Sequence, residues 1–190
     1  MSDNYRPHFW DEMTKAMDPY VHAITAVAEV HRMSHDGFMH HVSGKQTGIA
    51  NAASAEFLMV VPADVRPHIT RVELDVGAGD VDLLMYEGTT TSADGTALTS
   101  KTTNRNSIHT PGCVAYGGPT VTGDGTQFHQ VWAPPTSAGV GQKVGIMNIA
   151  LGEEWVLQPS TKYLFRITNN SGGTISLGYE FVWYEVAYQT

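Results

Sequence analysis

The sequence predicts an all-β, jelly-roll-like β-sandwich with a short N-terminal helix or arm, and three observations carry that prediction. Alternation comes first. Between Glu154 and Glu185, Tyr163, Phe165 and Ile167 point one way while Leu164, Arg166 and Thr168 point the other, and Ile175, Leu177, Tyr179, Phe181 and Trp183 repeat the period. Turn chemistry comes second: Asp36-Gly37, Gly77-Ala78-Gly79-Asp80, Asp94-Gly95 and Asn169-Asn170-Ser171-Gly172-Gly173 separate extended runs and supply the positive-φ residues that hairpins need. Composition is the third, because only 16% of residues are charged against a usual ~25%, with Gly and Thr abundant and Lys rare.

A length of 190 residues suits one well-buried domain with an extension, and divides into an arm at 1–22 and a sandwich at 23–190. In the arm, Phe9, Trp10, Met13 and Met17 recur at roughly helical spacing, with Pro7 near the start and Pro19 as the stop. This segment packs on its own domain, docks on a neighbouring subunit, in which case those four side chains are the interface, or is disordered.

From Ile24 the period shortens toward two. Asp36-Gly37, set between Val30 to His35 and Phe38 to Val42, predicts a type I′ hairpin, while the Ala-rich stretch equally allows a helix through Ala23 to Met33. Ser43 to Ala55 is polar and rich in small residues, and Glu56 to Val61 is a buried strand ended by Pro62. Ile69 to Val76 and Val81 to Glu87 form a clear hairpin.

Asp94-Gly95 turns the chain into a strand at Thr96 to Lys101, and Asn104 to Ser107 opens a long Gly/Pro-rich stretch through Pro119. Phe128 to Trp132 is a further strand. Pro134-Pro135 and the small residues from Thr136 to Lys143 predict a mobile exposed loop before the three C-terminal strands.

A formal charge of -8 with no basic stripe argues against nucleic acid as a partner. One cysteine, Cys113, rules out an intramolecular disulfide and suits assembly in a reducing cytoplasm. The first residues lack a basic stretch followed by an apolar one, and no apolar run approaches ~18 residues, so neither secretion nor a membrane partner is expected.

Histidines cluster at His31, His35, His40 and His41. In a two-residue hairpin, His31, His35 and His40 share one sheet face within ~5–8 Å and are candidate ligands for zinc, copper or nickel; otherwise they are half-buried polar strand residues. A helix instead leaves His31 and His35 at i, i+4, but Arg32 stands where a His-Glu-x-x-His motif needs Glu. Cys113, in a Pro-Gly loop, is an idle thiol before it is a nucleophile. Asp80 with Asp82, and Glu153 with Glu154, are solvent-face carboxylates by alternation, and Asp80, Asp82, Asp94 and Asp124 lack the spacing of a calcium loop. Trp132, Trp155, Trp183 and Tyr184 can stack sugars if exposed, although alternation assigns Trp183 to the core.

Three stretches together resemble a family of small phage virion proteins that accompany the major capsid protein: Gly79 to Gly88, Asn104-Arg105-Asn106-Ser107, and Leu157 through Glu185. Glu29 to Phe38 is similar to the family's opening as well. The resemblance covers roughly residues 25–185 and implies a non-enzymatic capsid decoration (cement) protein, bound to the major capsid protein on the virion surface. It carries no catalytic residues and no cofactor. Self-association as a dimer or trimer is expected, with assembly in the host cytoplasm. A head-fibre, tail or receptor-contacting virion protein is the alternative, and a cupin-like metal-dependent enzyme a more distant one.

Overall fold

Where apolar and polar residues alternate, an extended chain turns one row of side chains inward. In the computed structural model, which describes residues 29–76, 80–133, 142–145 and 154–187, those rows meet between two antiparallel sheets. A helix, α1 (residues 29–36), leads into β1 (Met39–Ile49), β2 (Ser54–Val60), β3 (Val65–Val76) and β4 (Val81–Glu87). Short strands follow: β5 (Thr90–Ala93), β6 (Thr96–Ala97), β7 (Lys101–Thr102), β8 (Val114–Gly117) and β9 (Thr120–Gly123). The last are β10 (Thr126–Ala133), β11 (Gln142–Gly145), β12 (Trp155–Val156), β13 (Lys162–Asn169) and β14 (Ile175–Ala187).

One sheet has the order β11-β3-β14-β1-β7, with β12 also on β3; the other runs β10-β4-β13-β2-β8-β6. Consecutive strands β1/β2, β3/β4 and β13/β14 each divide between the two sheets, a jelly-roll arrangement. Neither the hairpin expected of Ile69 to Val76 with Val81 to Glu87 nor the one expected across Asn169 to Gly173 is therefore formed. Instead β3 pairs with β14 and β4 with β13, because the apolar rows of successive strands face each other across the core instead of lying side by side. Phe57, Met59, Leu83, Met85, Phe165 and Ile167 from one sheet face Val72, Leu74, Leu177, Phe181 and Trp183 from the other in a continuous core. Asn169 closes the β13–β14 turn from a buried position: its Nδ2 donates to the Ile49 and Gly173 carbonyls, and its Oδ1 accepts from the Ser171 amide.

The expected hairpin at Asp36-Gly37 is not formed. Residues 29–36 are helical because Val30 and Met33, three apart, must reach the same apolar surface, which is Met39, Val182 and Tyr184 on the outer face of the first sheet. Gly37, at φ +81°, ends the helix in a Schellman motif, with Phe38 N donating to Met33 O at 2.9 Å and Gly37 N to Ser34 O at 3.2 Å.

Two further expectations change. The polar stretch after Ser43 continues β1 as far as Ile49, since its backbone pairs with β14 while Lys45 and Gln46 point to solvent. The strand expected at 96–101 is two, because β6 pairs with β8 in one sheet and β7 with β1 in the other. Of the loop expected at Thr136 to Lys143, Gln142 and Lys143 lie in β11 against β3, and the rest falls outside the described residues. The arm with Phe9, Trp10, Met13 and Met17 also lies outside them.

The second sheet has an internal twofold relationship. The pattern Tyr86-x-Gly88-x-Thr90-x-x-x-Asp94-Gly95-Thr96 recurs as Tyr116-x-Gly118-x-Thr120-x-x-x-Asp124-Gly125-Thr126. Tyr86 pairs with Leu164 and Tyr116 with Leu58; Thr126 pairs with Glu87 and Thr96 with Gly117. Gly88 N donates to Lys162 O and Gly118 N to Glu56 O, each at 3.0 Å. The arches between, β5 and β9, pair with each other through Thr90↔Gly123 and Ala93↔Thr120. They are fastened to the outer face of the sheet by Asp94 to Lys162 and Asp124 to Arg166. On that face Leu58 and Leu164, 1% and 0% exposed, are paired across the axis.

Candidate interaction surface

The Schellman ending leaves carbonyls at the end of α1, and the loop after β7 supplies their donors. Asn104 Nδ2 donates to His35 O at 2.6 Å, Ser107 Oγ donates to Gly37 O at 3.3 Å, and Ser34 Oγ meets Thr103 Oγ1 at 3.0 Å. Within the loop, Asn106 N donates to Asn104 Oδ1 and His109 N to Ser107 Oγ, both at 3.1 Å. Asn104 to Ser107, one of the stretches that carry the family resemblance, is therefore the anchor of this loop.

Its far end is held by one carboxylate. Glu185 Oε2 accepts from Gly112 N at 2.7 Å, while Oε1 accepts from Cys113 N at 3.0 Å and Trp183 Nε1 at 2.8 Å. Between these anchors the loop presents Ile108, 95% exposed, next to His109, whose ring stacks on Phe38 at 4.3 Å. A loop bonded at both ends holds this aliphatic side chain in water with its backbone already ordered, so that a partner meeting it would have little left to order. Sequence reasoning passed over Ile108, because a single apolar residue in a polar stretch has no periodicity; its signal lay in the turn-forming Asn and Ser residues before it.

The three candidate metal ligands do not meet. His31 and His35 lie on the exposed side of α1, with their Nε2 atoms 3.1 Å apart, whereas His40 lies on the inward-facing row of β1, its ring 5.9 Å from that of Trp183. The helix that replaced the hairpin separates them. His40 is buried with Nδ1 unpartnered, and burial lowers its pKa. Among the described residues no group of three or more His, Cys, Asp or Glu side chains is placed to hold a metal.

Cys113 is buried, and that burial, followed by the charge of Glu185, pushes its thiol well above the usual range. It stays protonated, the opposite of what a nucleophile needs. His68, Glu154 and Tyr184 form a chain: His68 Nδ1 and Glu154 Oε1 are 2.8 Å apart, and Tyr184 Oη donates to Glu154 Oε2 at 2.8 Å. The His68 ring stacks on Tyr184 at 4.5 Å, and burial, then the bond to Glu154, pushes the phenol up. The chain ties β12 and the residue before it to the sheet.

The remaining candidates are distributed rather than convergent. Asp80 accepts from Trp132 Nε1 and Asp82 from Asn170 Nδ2, while Asp94 and Asp124 hold Lys162 and Arg166. Glu153 lies outside the described residues. Of the four candidate aromatics, Trp183 and Tyr184 are buried and Trp155 is partly covered, which leaves Trp132, 57% exposed on edge strand β10, as the one of the four open to a ligand.

No family model matches the chain, and no curated protein matches it. Among solved structures, VP1 of Trichodysplasia spinulosa-associated polyomavirus is similar over 78% of each chain at 7% identity and a TM-score of 0.12. A likeness of that strength carries neither fold nor function.

Proposed function

We propose that this chain is a non-enzymatic virion structural protein of the capsid decoration type, which binds the major capsid protein on the outer surface of a phage head and stabilises it. The observation that carries the reading is the loop with Ile108 at its tip: the stretch Asn104 to Ser107, part of the family resemblance, builds the anchor that presents an exposed apolar side chain. A jelly roll offers loops and strand edges for contact, and many copies on a lattice gain strength from repeated weak contacts. Self-association as a dimer or trimer belongs to the same proposal and is read by light scattering.

The test is reconstitution. Purified protein added to capsids that lack it should bind saturably and raise their resistance to heat. Ile108→Asp should weaken that binding without moving the melting temperature of the free protein. Failure to bind any capsid lattice would sink the reading.

Trp132 favours a second role, as a receptor-contacting virion protein. Its indole N–H is held by Asp80, and Asp82 and Asn170 lie beside it, a flat ring flanked by polar groups of the kind that stacks on a sugar. Binding to host glycans but not to capsids would favour that role.

A further inference from the structure

We propose that His31 and His35 form a two-histidine site for a divalent transition metal ion on the exposed face of α1. One turn apart on the helix, they aim Nε2 at Nε2 across 3.1 Å, with ring centroids 4.4 Å apart and planes at 70°. Two imidazole nitrogens each ~2.0–2.1 Å from a single ion lie ~2.9 Å apart at a square-planar right angle and ~3.4 Å apart at a tetrahedral one. The observed separation falls between these limits, so the two nitrogens can share one ion once each ring turns to point its lone pair at an ion lying off the line between them.

Charge around the site favours a cation. Arg32, the one nearby positive side chain on α1, is held by both Glu29, at 2.7 Å, and Asp36, at 2.8 Å, so the trio carries a net negative charge. The opposite side of the helix, Val30 and Met33, is fixed on the sheet, and Asn104 holds the His35 carbonyl, which keeps the two histidines in register. Imidazole ligands suit nickel, copper and zinc, and the remaining coordination positions face solvent.

The test uses the full chain with no affinity tag. Calorimetric titration with nickel alone should give one ion per chain, and copper added at one equivalent should show hyperfine coupling to two nitrogens in its electron paramagnetic resonance spectrum. His31→Gln and His35→Gln should each abolish the nickel heat and the two-nitrogen pattern while leaving the circular dichroism unchanged, and His41→Gln should retain both signals. No nickel heat at millimolar metal, a one-nitrogen spectrum, or binding that survives in the His31→Gln/His35→Gln double variant would overturn the site.

Discussion

Arg166 holds Asp124 in a two-pronged pair, Nη1 to Oδ2 at 2.6 Å and Nη2 to Oδ1 at 2.8 Å, while its Nε reaches Glu56 at 2.6 Å. The guanidinium is mostly covered, and it joins the centre of one sheet to the arch that crosses it. Arg166→Met should cost about 1–3 kcal/mol in urea denaturation, since two carboxylates lose a charged donor. The bond to Arg166 lowers the Asp124 pKa below its ordinary 3.8, so its contribution is present above about pH 4 and is lost as pH falls through the lower folded-state value. Asp124→Asn should flatten that part of the acid limb. An Arg166→Met protein as stable as the parent would show that the arch is held by its backbone alone.

Gly95 and Gly125 should fail alike. Both have positive φ, +98° and +88°, and a Cβ would meet the Gly117 carbonyl oxygen at 2.4 Å in the first case and the Glu87 carbonyl oxygen at 2.2 Å in the second. Backbone cannot move aside as a side chain can, so Gly95→Ala and Gly125→Ala should each cost at least about 1–3 kcal/mol. Thermal melts that show one tolerated and the other not would break the twofold equivalence.

His40 should make the fold sensitive to mild acid. Burial lowers its folded-state pKa below the ordinary 6.5; Glu185 opposes the shift, and His109 and His41 add to it. The unfolded chain therefore takes up the proton first, and stability falls as pH drops below about 6.5 until the folded-state value is passed. His40→Leu should remove this dependence between about pH 7 and 5. Equal slopes for parent and variant would assign the sensitivity elsewhere.

Phe165 packs on Phe181 at 5.0 Å between ring centroids, with both rings buried at the meeting of the sheets. Either residue changed to Ala should cost about 3–5 kcal/mol. An unchanged melting temperature would remove the register that sets them opposite each other.

Most strands were legible because a half-buried strand must alternate, and Tyr163 to Ile167 and Ile175 to Trp183 do so cleanly. Asp36-Gly37 was not, since a hairpin and a helix end ask the same residue to adopt positive φ. Only the tertiary partner of Val30 and Met33, on strands far along the chain, decides between them. Histidine spacing showed that His31 and His35 suit a helical pair, but where His40 goes follows from which side of β1 faces the core. The repeated Tyr-x-Gly and Asp-Gly-Thr of the two arches is written in the chain, yet it reads as ordinary turn chemistry until the pairing of Thr90 with Gly123 gives it a geometry. Ile108 was legible only as a position in a loop, from the Asn and Ser residues before it, because exposure is settled by what fails to cover a residue.

β13 lies between β4 and β2, and β14 lies between β3 and β1. A ribosome that has translated as far as Thr161 thus carries a nascent chain in which both sheets lack their middle. Phe57, Met59, Leu74 and Leu83 then lack Phe165, Ile167, Phe181 and Trp183 from the centre of the core, and four long strands stand with open edges that invite pairing with other chains. Both sheets are therefore completed only once β13 and β14 have been made, and until then the exposed strand edges are open to chaperones and proteases.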